Sequence, residues 1–141
     1  MSNLEIRSLI TSWIKEADEL LEKGDIVQAS EKYYKAAEET IKLLAIKHDL
    51  KDIIQKVKVK RRWESRLLFD VASKISDEIY YCWTSAWTLH VYGFHEMKLN
   101  LDQVRDKGYE VKKINKAFIN KIPVQNSFSF TIYYILLDHF N

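Results

Sequence analysis

Ala17-Asp18-Glu19-Leu20-Leu21-Glu22-Lys23-Gly24-Asp25-Ile26-Val27-Gln28-Ala29-Ser30-Glu31-Lys32-Tyr33-Tyr34-Lys35-Ala36-Ala37-Glu38-Glu39 is the stretch that decides the fold of this chain. Lys23-Gly24 stops one helix, because glycine takes the left-handed C′ conformation at no steric cost. Asp25 starts the next: its carboxylate can take an orphan backbone N–H, and Gln28, three residues on, makes a capping box. Upstream, Leu9, Ile10, Trp13, Ile14, Ala17, Leu20 and Leu21 have the spacing of one buried helical face. Ser2 and Glu5 form a capping box at the start of that helix. Downstream, Ala29, Tyr33, Ala36, Ala37, Ile41 and Leu44 carry an apolar face to about His48. A link this short makes the two helices antiparallel neighbours.

Beyond the hairpin the pattern stays helical. Residues 49–62 read two ways: Leu50, Ile53, Ile54 and Val57 suit a short helix, while Val57-Lys58-Val59-Lys60 alternates as an extended segment would. Trp63, Leu67, Leu68, Val71, Ala72, Ile75 and Ile79 mark a third helix. A fourth is expected over roughly 77–106, with Trp83, Ala86, His90, Phe94, Met97, Leu101 and Val104 as its stripe and Lys107-Gly108 as its stop. A fifth is expected over about 109–120, with Val111, Ile114, Phe118 and Ile119 inward. With only 3 Gly and 1 Pro the chain has few tight turns, which favours helices over a many-stranded sheet. The expected fold is all-α, an up-and-down four-helix bundle with a short fifth helix over residues 1–120. An apolar tail, 121–141, follows the break at Pro123. Ser127-Phe128-Ser129-Phe130-Thr131-Ile132-Tyr133-Tyr134-Ile135-Leu136-Leu137 is β-prone and carries no charge until Asp138, so it must bury its surface on the bundle or on a partner chain.

Composition narrows the function classes. The 141 residues suit one domain that can bury a core without disulfides or metals. The single cysteine, Cys82, allows no internal disulfide and points to a reducing, cytoplasmic setting. The start of the chain has no basic-then-apolar pattern of a signal peptide, and no apolar run is long enough to cross a membrane. Phosphate-cradling glycine loops, Gly-x-Ser-x-Gly and Cys/His pairs at metal spacing are all missing, so neither a cofactor nor a metal is expected.

Two segments carry candidate chemistry. Residues 42–66 hold nine bases against three acids, whereas residues 1–41 hold nine acids against five bases. Lys51, Lys56, Lys58, Lys60, Arg61, Arg62 and Arg66 could neutralise phosphates, with Trp63 available to stack on a base. The alternative is a solvated loop with Trp63 in the core. The second segment is His90-Val91-Tyr92-Gly93-Phe94-His95-Glu96. At about 100° per residue a spacing of five turns His90 and His95 about 140° apart, so one α-helix cannot bring both to one metal. His90 then falls on the apolar stripe, either as a hydrogen-bonded core histidine or as a poised acid–base or ligand-binding group. His95 falls on a polar flank with Lys98 and Asp102. Glu96, with Leu89, Tyr92 and Leu99, makes a second mixed face, which favours a homodimer. Glu31, Glu38 and Glu39 read as a solvated face.

The hairpin above, taken with Trp83-Thr84-Ser85-Ala86-Trp87-Thr88-Leu89-His90-Val91-Tyr92-Gly93-Phe94-His95-Glu96, resembles the archaeal PaREP family, type one, over about residues 14–118. That resemblance implies a relation to the HEPN superfamily: four-helix bundles with a short fifth helix, many of them dimeric, many acting in toxin–antitoxin systems as ribonucleases or nucleotide-binding partners. Active HEPN ribonucleases carry an Arg followed four to six residues later by His. None of His48, His90, His95 and His139 has an Arg at that position, and Arg105 has no nearby His after it. The resemblance therefore implies the fold and not the ribonuclease site. Gly24, Ala29, Tyr33 and Ala36 also fall where a tetratricopeptide repeat keeps its packing residues, but one copy without neighbours is what any tight hairpin crossing requires. Two functions are expected in the alternative. One is a helical interaction protein, antitoxin-like or adaptor, with RNA or nucleotide contact. The other is a HEPN-type enzyme using His90, His95 or Glu96 in an atypical site.

Overall fold

The computed structural model describes residues 3–115, with side chains from Glu5 onward. The expected capping box at Ser2, the end of the fifth helix, the boundary near residue 120 and the apolar tail lie outside the described residues. Within them the protein is all-helical, with no strand: α1 (Asn3–Glu22), α2 (Ile26–Lys47), α3 (Lys51–Lys60), α4 (Ser65–Ile75), α5 (Asp77–Thr88), a π-helical turn (Leu89–His95) and α6 (Leu101–Ile114).

The hairpin forms as its sequence dictates. Gly24 sits at φ 85°, and its N–H and that of Asp25 donate to the carbonyls of Leu21 and Leu20, a Schellman closure. The Asp25 carboxylate accepts the N–H of Gln28 and caps α2. The same closure ends α2, with Asp49 in the left-handed position: Asp49 and Leu50 donate to Ile46 and Ala45. Helix α2 is the centre of the bundle and packs against α1, α4, α5, α6 and the π turn. Its Ala29, Tyr33, Ala36, Ile41 and Leu44 are buried against Ile6, Ile10 and Ala17 of α1 and Trp83 and Ala86 of α5. Small residues let the axes approach, and the aromatics fill the space between them.

The two-way segment at 49–62 resolves as helix. Ile53 and Val57, one turn apart, are buried against the core, and the alternating lysines face solvent.

The expected fourth helix, 77–106, is interrupted. Ser76 is extended and its hydroxyl accepts the N–H of Ile79, so α5 starts there. From Leu89 the backbone winds as a π helix, and Met97 turns left-handed at φ 54°. Asn100 and Gln103 then form a reciprocal capping box that starts α6. A stripe through Met97 and Leu101 requires uninterrupted α periodicity. The break puts both in solvent, Met97 at 67% exposure. Gly108 is no helix stop. It lies inside α6 where a Cβ would stand 2.7 Å from the Tyr33 ring, so the absence of a side chain lets α6 cross α2 closely.

Candidate functional site: an imidazole pair on a π turn

The π turn determines the site. In an α helix residues five apart diverge, but i→i+5 hydrogen bonding places residue 95 over residue 90. Glu96 N–H donates to the Val91 carbonyl at 2.9 Å, closing such a turn. The His90 and His95 ring centroids are 4.5 Å apart, edge to face. The expected divergence of the two histidines is therefore overturned, and the reason is the wider winding.

A contact with α2 accompanies that winding. Gly93 is buried, and a Cβ there would lie 2.4 Å from Ser30 Oγ. The Ser30 hydroxyl is itself held, donating to the Ile26 carbonyl at 2.7 Å. Thr84 and Thr88 donate to the carbonyls four residues before them, a pattern that bends helices just ahead of the turn.

His90 rests on a bed of aromatic rings. It stacks on Tyr34 at 4.1 Å and meets Trp87 at 5.4 Å. Its Nδ1–H donates to Glu31 Oε1 at 2.9 Å, with both side chains largely buried. A carboxylate on one ring nitrogen fixes the ring plane and the tautomer, leaving Nε2 for another partner. Tyr34 in turn donates to Glu38 at 3.2 Å, and burial followed by the Glu38 charge pushes its phenol far above the ordinary range. Glu39 is buried beside the buried Lys42 at 3.3 Å. Glu31 and Glu39 are thus not part of a solvated face, and Glu38 is only partly exposed. The role of Glu31 was invisible in sequence because its partner lies on the π turn, and the burial of Glu39 with Lys42 depends on the helices that cover α2.

Glu96 is not part of the cluster: it is exposed and pairs with Lys98 at 3.1 Å. Among the described residues no Arg bonds to either imidazole, and no three His, Cys, Asp or Glu side chains are grouped to hold a metal ion. Cys82 donates to the Glu110 carbonyl at 3.2 Å, and burial pushes its thiol up to about 12, which removes it as a nucleophile.

The basic segment stands elsewhere. Glu31 to Lys47 spans roughly 24 Å of helix at 1.5 Å per residue, and α3 begins only beyond that end. Lys56, Lys58 and Arg61 are exposed. Lys60, Arg62 and Arg66 gather around Glu64 at 3.1, 3.4 and 3.9 Å. The hydrogen bond from Lys60 holds the Glu64 carboxyl below its usual range. Trp63 is 8% exposed, so it belongs to the core and cannot stack on a base. No described helix is long and apolar enough to cross a membrane.

Comparison with known proteins places this architecture. A crystal structure of a protein from Sulfolobus solfataricus superposes with a TM-score of 0.73 at 47% identity, covering 79% of this chain and 93% of that one. A solution structure of the same structural-genomics target gives 0.70 at 48% identity, over 79% of this chain and 88% of that one. No curated protein matches. The profile of the archaeal PaREP1/PaREP8 family matches residues 5–115, a span that takes in the hairpin, the π turn and α6 alike, and the chain belongs to that family.

Proposed function

We propose that this protein is a non-catalytic interaction protein, an antitoxin-like or adaptor partner of another protein, that contacts RNA or a nucleotide phosphate through the outer side of α3 and the turn after it. The observation that carries the reading is the asymmetry of α3. It buries Ile53 and Val57 and turns Lys56, Lys58 and Lys60 outward, continuous with the exposed Arg61, Arg62 and Arg66. Exposed cations in series release counterions from a phosphate backbone, and only part of this charge is neutralised by Glu64. The test is fluorescence anisotropy with a single-stranded RNA across a salt series. Charge reversal at Lys56, Lys58 and Arg61 is expected to reduce the log–log salt slope by about 2. No binding at low salt overturns the reading.

A homodimer in the cytoplasm belongs to the same proposal. Tyr81 and Tyr109, 61% and 60% exposed on α5 and α6, support a self-association face. Light scattering that finds a monomer at micromolar concentration removes the dimer.

A second reading is a HEPN-type ribonuclease or nucleotide-acting enzyme with an atypical histidine site. The 4.5 Å separation of His90 and His95 favours it, with Glu31 orienting His90. One imidazole would take a proton and the other give one. RNA and free nucleotides both left unchanged by the wild-type protein, throughout pH 5 to 8, remove this reading.

A further inference from the structure

Phe94 gives the rings on the π turn an arrangement that neither reading uses. His90 and Phe94 are 6.4 Å apart at their centroids with planes only 14° from parallel. His95 stands across the open side of that pair, edge-on to both: 4.5 Å and 84° to His90, 5.0 Å and 71° to Phe94. Behind His90 the stack continues into Tyr34, so that wall cannot retreat. Phe94 is half-buried, and His95 is exposed and can turn on its own side-chain bonds.

We propose that this is a stacking slot for one nucleobase, with His90 and Phe94 as its walls and His95 as its movable side. A flat ring held between two others needs about 7 Å, two carbon contacts of about 3.5 Å. The 6.4 Å centroid separation is the upper limit of the space between the two planes, so the walls have to part by at least about half an ångström, and His95 has to swing out. A heteroaromatic base fits better than a plain phenyl ring because the Glu31 carboxylate beside His90 can accept a hydrogen bond from it. Glu31 spends one oxygen on His90, and its other oxygen has no further bond among the described residues. Exocyclic amino groups of adenine or cytosine supply the matching donors. Bases held this way stack on His and Phe in single-stranded RNA recognition.

The inference rests on the RNA-contact reading but uses different residues, so the two can fail separately. The experiment titrates the whole protein with adenosine 5′-monophosphate and follows the ring protons of His90, Phe94 and His95 by NMR. Saturable upfield shifts at all three rings are expected. Phe94→Leu keeps an apolar side chain without a flat face and is expected to weaken binding about tenfold or more. His95→Ala removes only the movable side and is expected to bind as well or better. Phe94→Leu is checked by the retained Tyr34–His90 ring contact, which shows that the turn still folds. The proposal is overturned by unshifted rings at millimolar nucleotide, by unchanged affinity in Phe94→Leu, or by inorganic phosphate producing the same shifts. If the α3 charge reversal abolishes RNA binding while the nucleotide shifts fail to appear, the slot falls and the phosphate ridge stands. If shifts appear and the α3 variant binds RNA as before, the ridge falls and the slot stands.

Discussion

The α1–α2 hairpin and the π turn are both helical, both rich in aromatics and both built around a glycine, yet they are held by different forces. The hairpin is closed by neighbours in sequence: Gly24 at φ 85°, two backbone bonds back to Leu20 and Leu21, and the Asp25 cap. Each of these can form in a short peptide. The π turn meets partners sixty residues away: Gly93 against Ser30, and His90 against Glu31 and Tyr34. A π turn is intrinsically unfavourable beside an α turn and persists where tertiary contacts outweigh the difference. Locally specified structure tolerates loss of one signal, whereas a turn specified at a distance fails when its single close approach is blocked.

The largest effect is expected where the hairpin meets the rest of the bundle. Leu44→Ala removes a fully buried side chain from the central helix and should cost about 2–5 kcal/mol of unfolding free energy. Denaturant melts should show one cooperative transition moved to lower midpoint with an unchanged slope. Loss confined to α2 signals would instead mean that the hairpin is not the common core.

Gly93→Ala should come next. The added carbon meets Ser30 atoms at 2.4 and 2.7 Å, an overpacking worth about 1–3 kcal/mol. Its distinguishing sign is local: the His90–His95 ring contact should vanish from NMR spectra while the hairpin remains. Ser30→Gly in the same chain removes both clashing atoms and should restore the contact. A normal ring contact in Gly93→Ala alone would show that the turn is specified by its own sequence after all.

At the hairpin's own glycine the cost has a different origin. Nothing lies within 4 Å of a Cβ built at Gly24, so Gly24→Ala pays only for the left-handed backbone, about 1 kcal/mol. Asp25→Ala should cost about the same through the lost cap. Thermal melts of these variants should move together, and neither should alter the histidine rings.

The effect that is smallest at neutral pH, because it emerges only in alkaline solution, is a pH dependence outside both regions. The buried Cys82 thiol is pushed up to about 12 in the folded protein, against about 8.5 for a free thiol. The unfolded chain loses this proton first, so the contribution is intact below about pH 8.5 and declines as pH rises toward 12. Cys82→Ala should flatten that part of the stability profile. Native Cys82 should also resist alkylation at pH 8, and rapid labelling there would show that the α5–α6 contact opens readily.

Much of the molecule follows from its sequence. Helical class, the hairpin and its turn, the inward faces of Ala29, Tyr33, Ala36 and Leu44, and the exposure of the lysines on α3 are set by spacing and caps, which act within a few residues. Tertiary structure alone decided the rest. Trp63 faces the core although it sits among cations, since it lies in the link between α3 and α4, where no periodicity says which way a side chain turns. Glu31 became the partner of His90 because α2 and the π turn meet there, a contact fifty-nine positions apart in the chain. Above all, His90 and His95 share a face only because the backbone widens by one residue per turn. That choice is invisible to any periodicity argument, which must assume the winding before it can place a side chain.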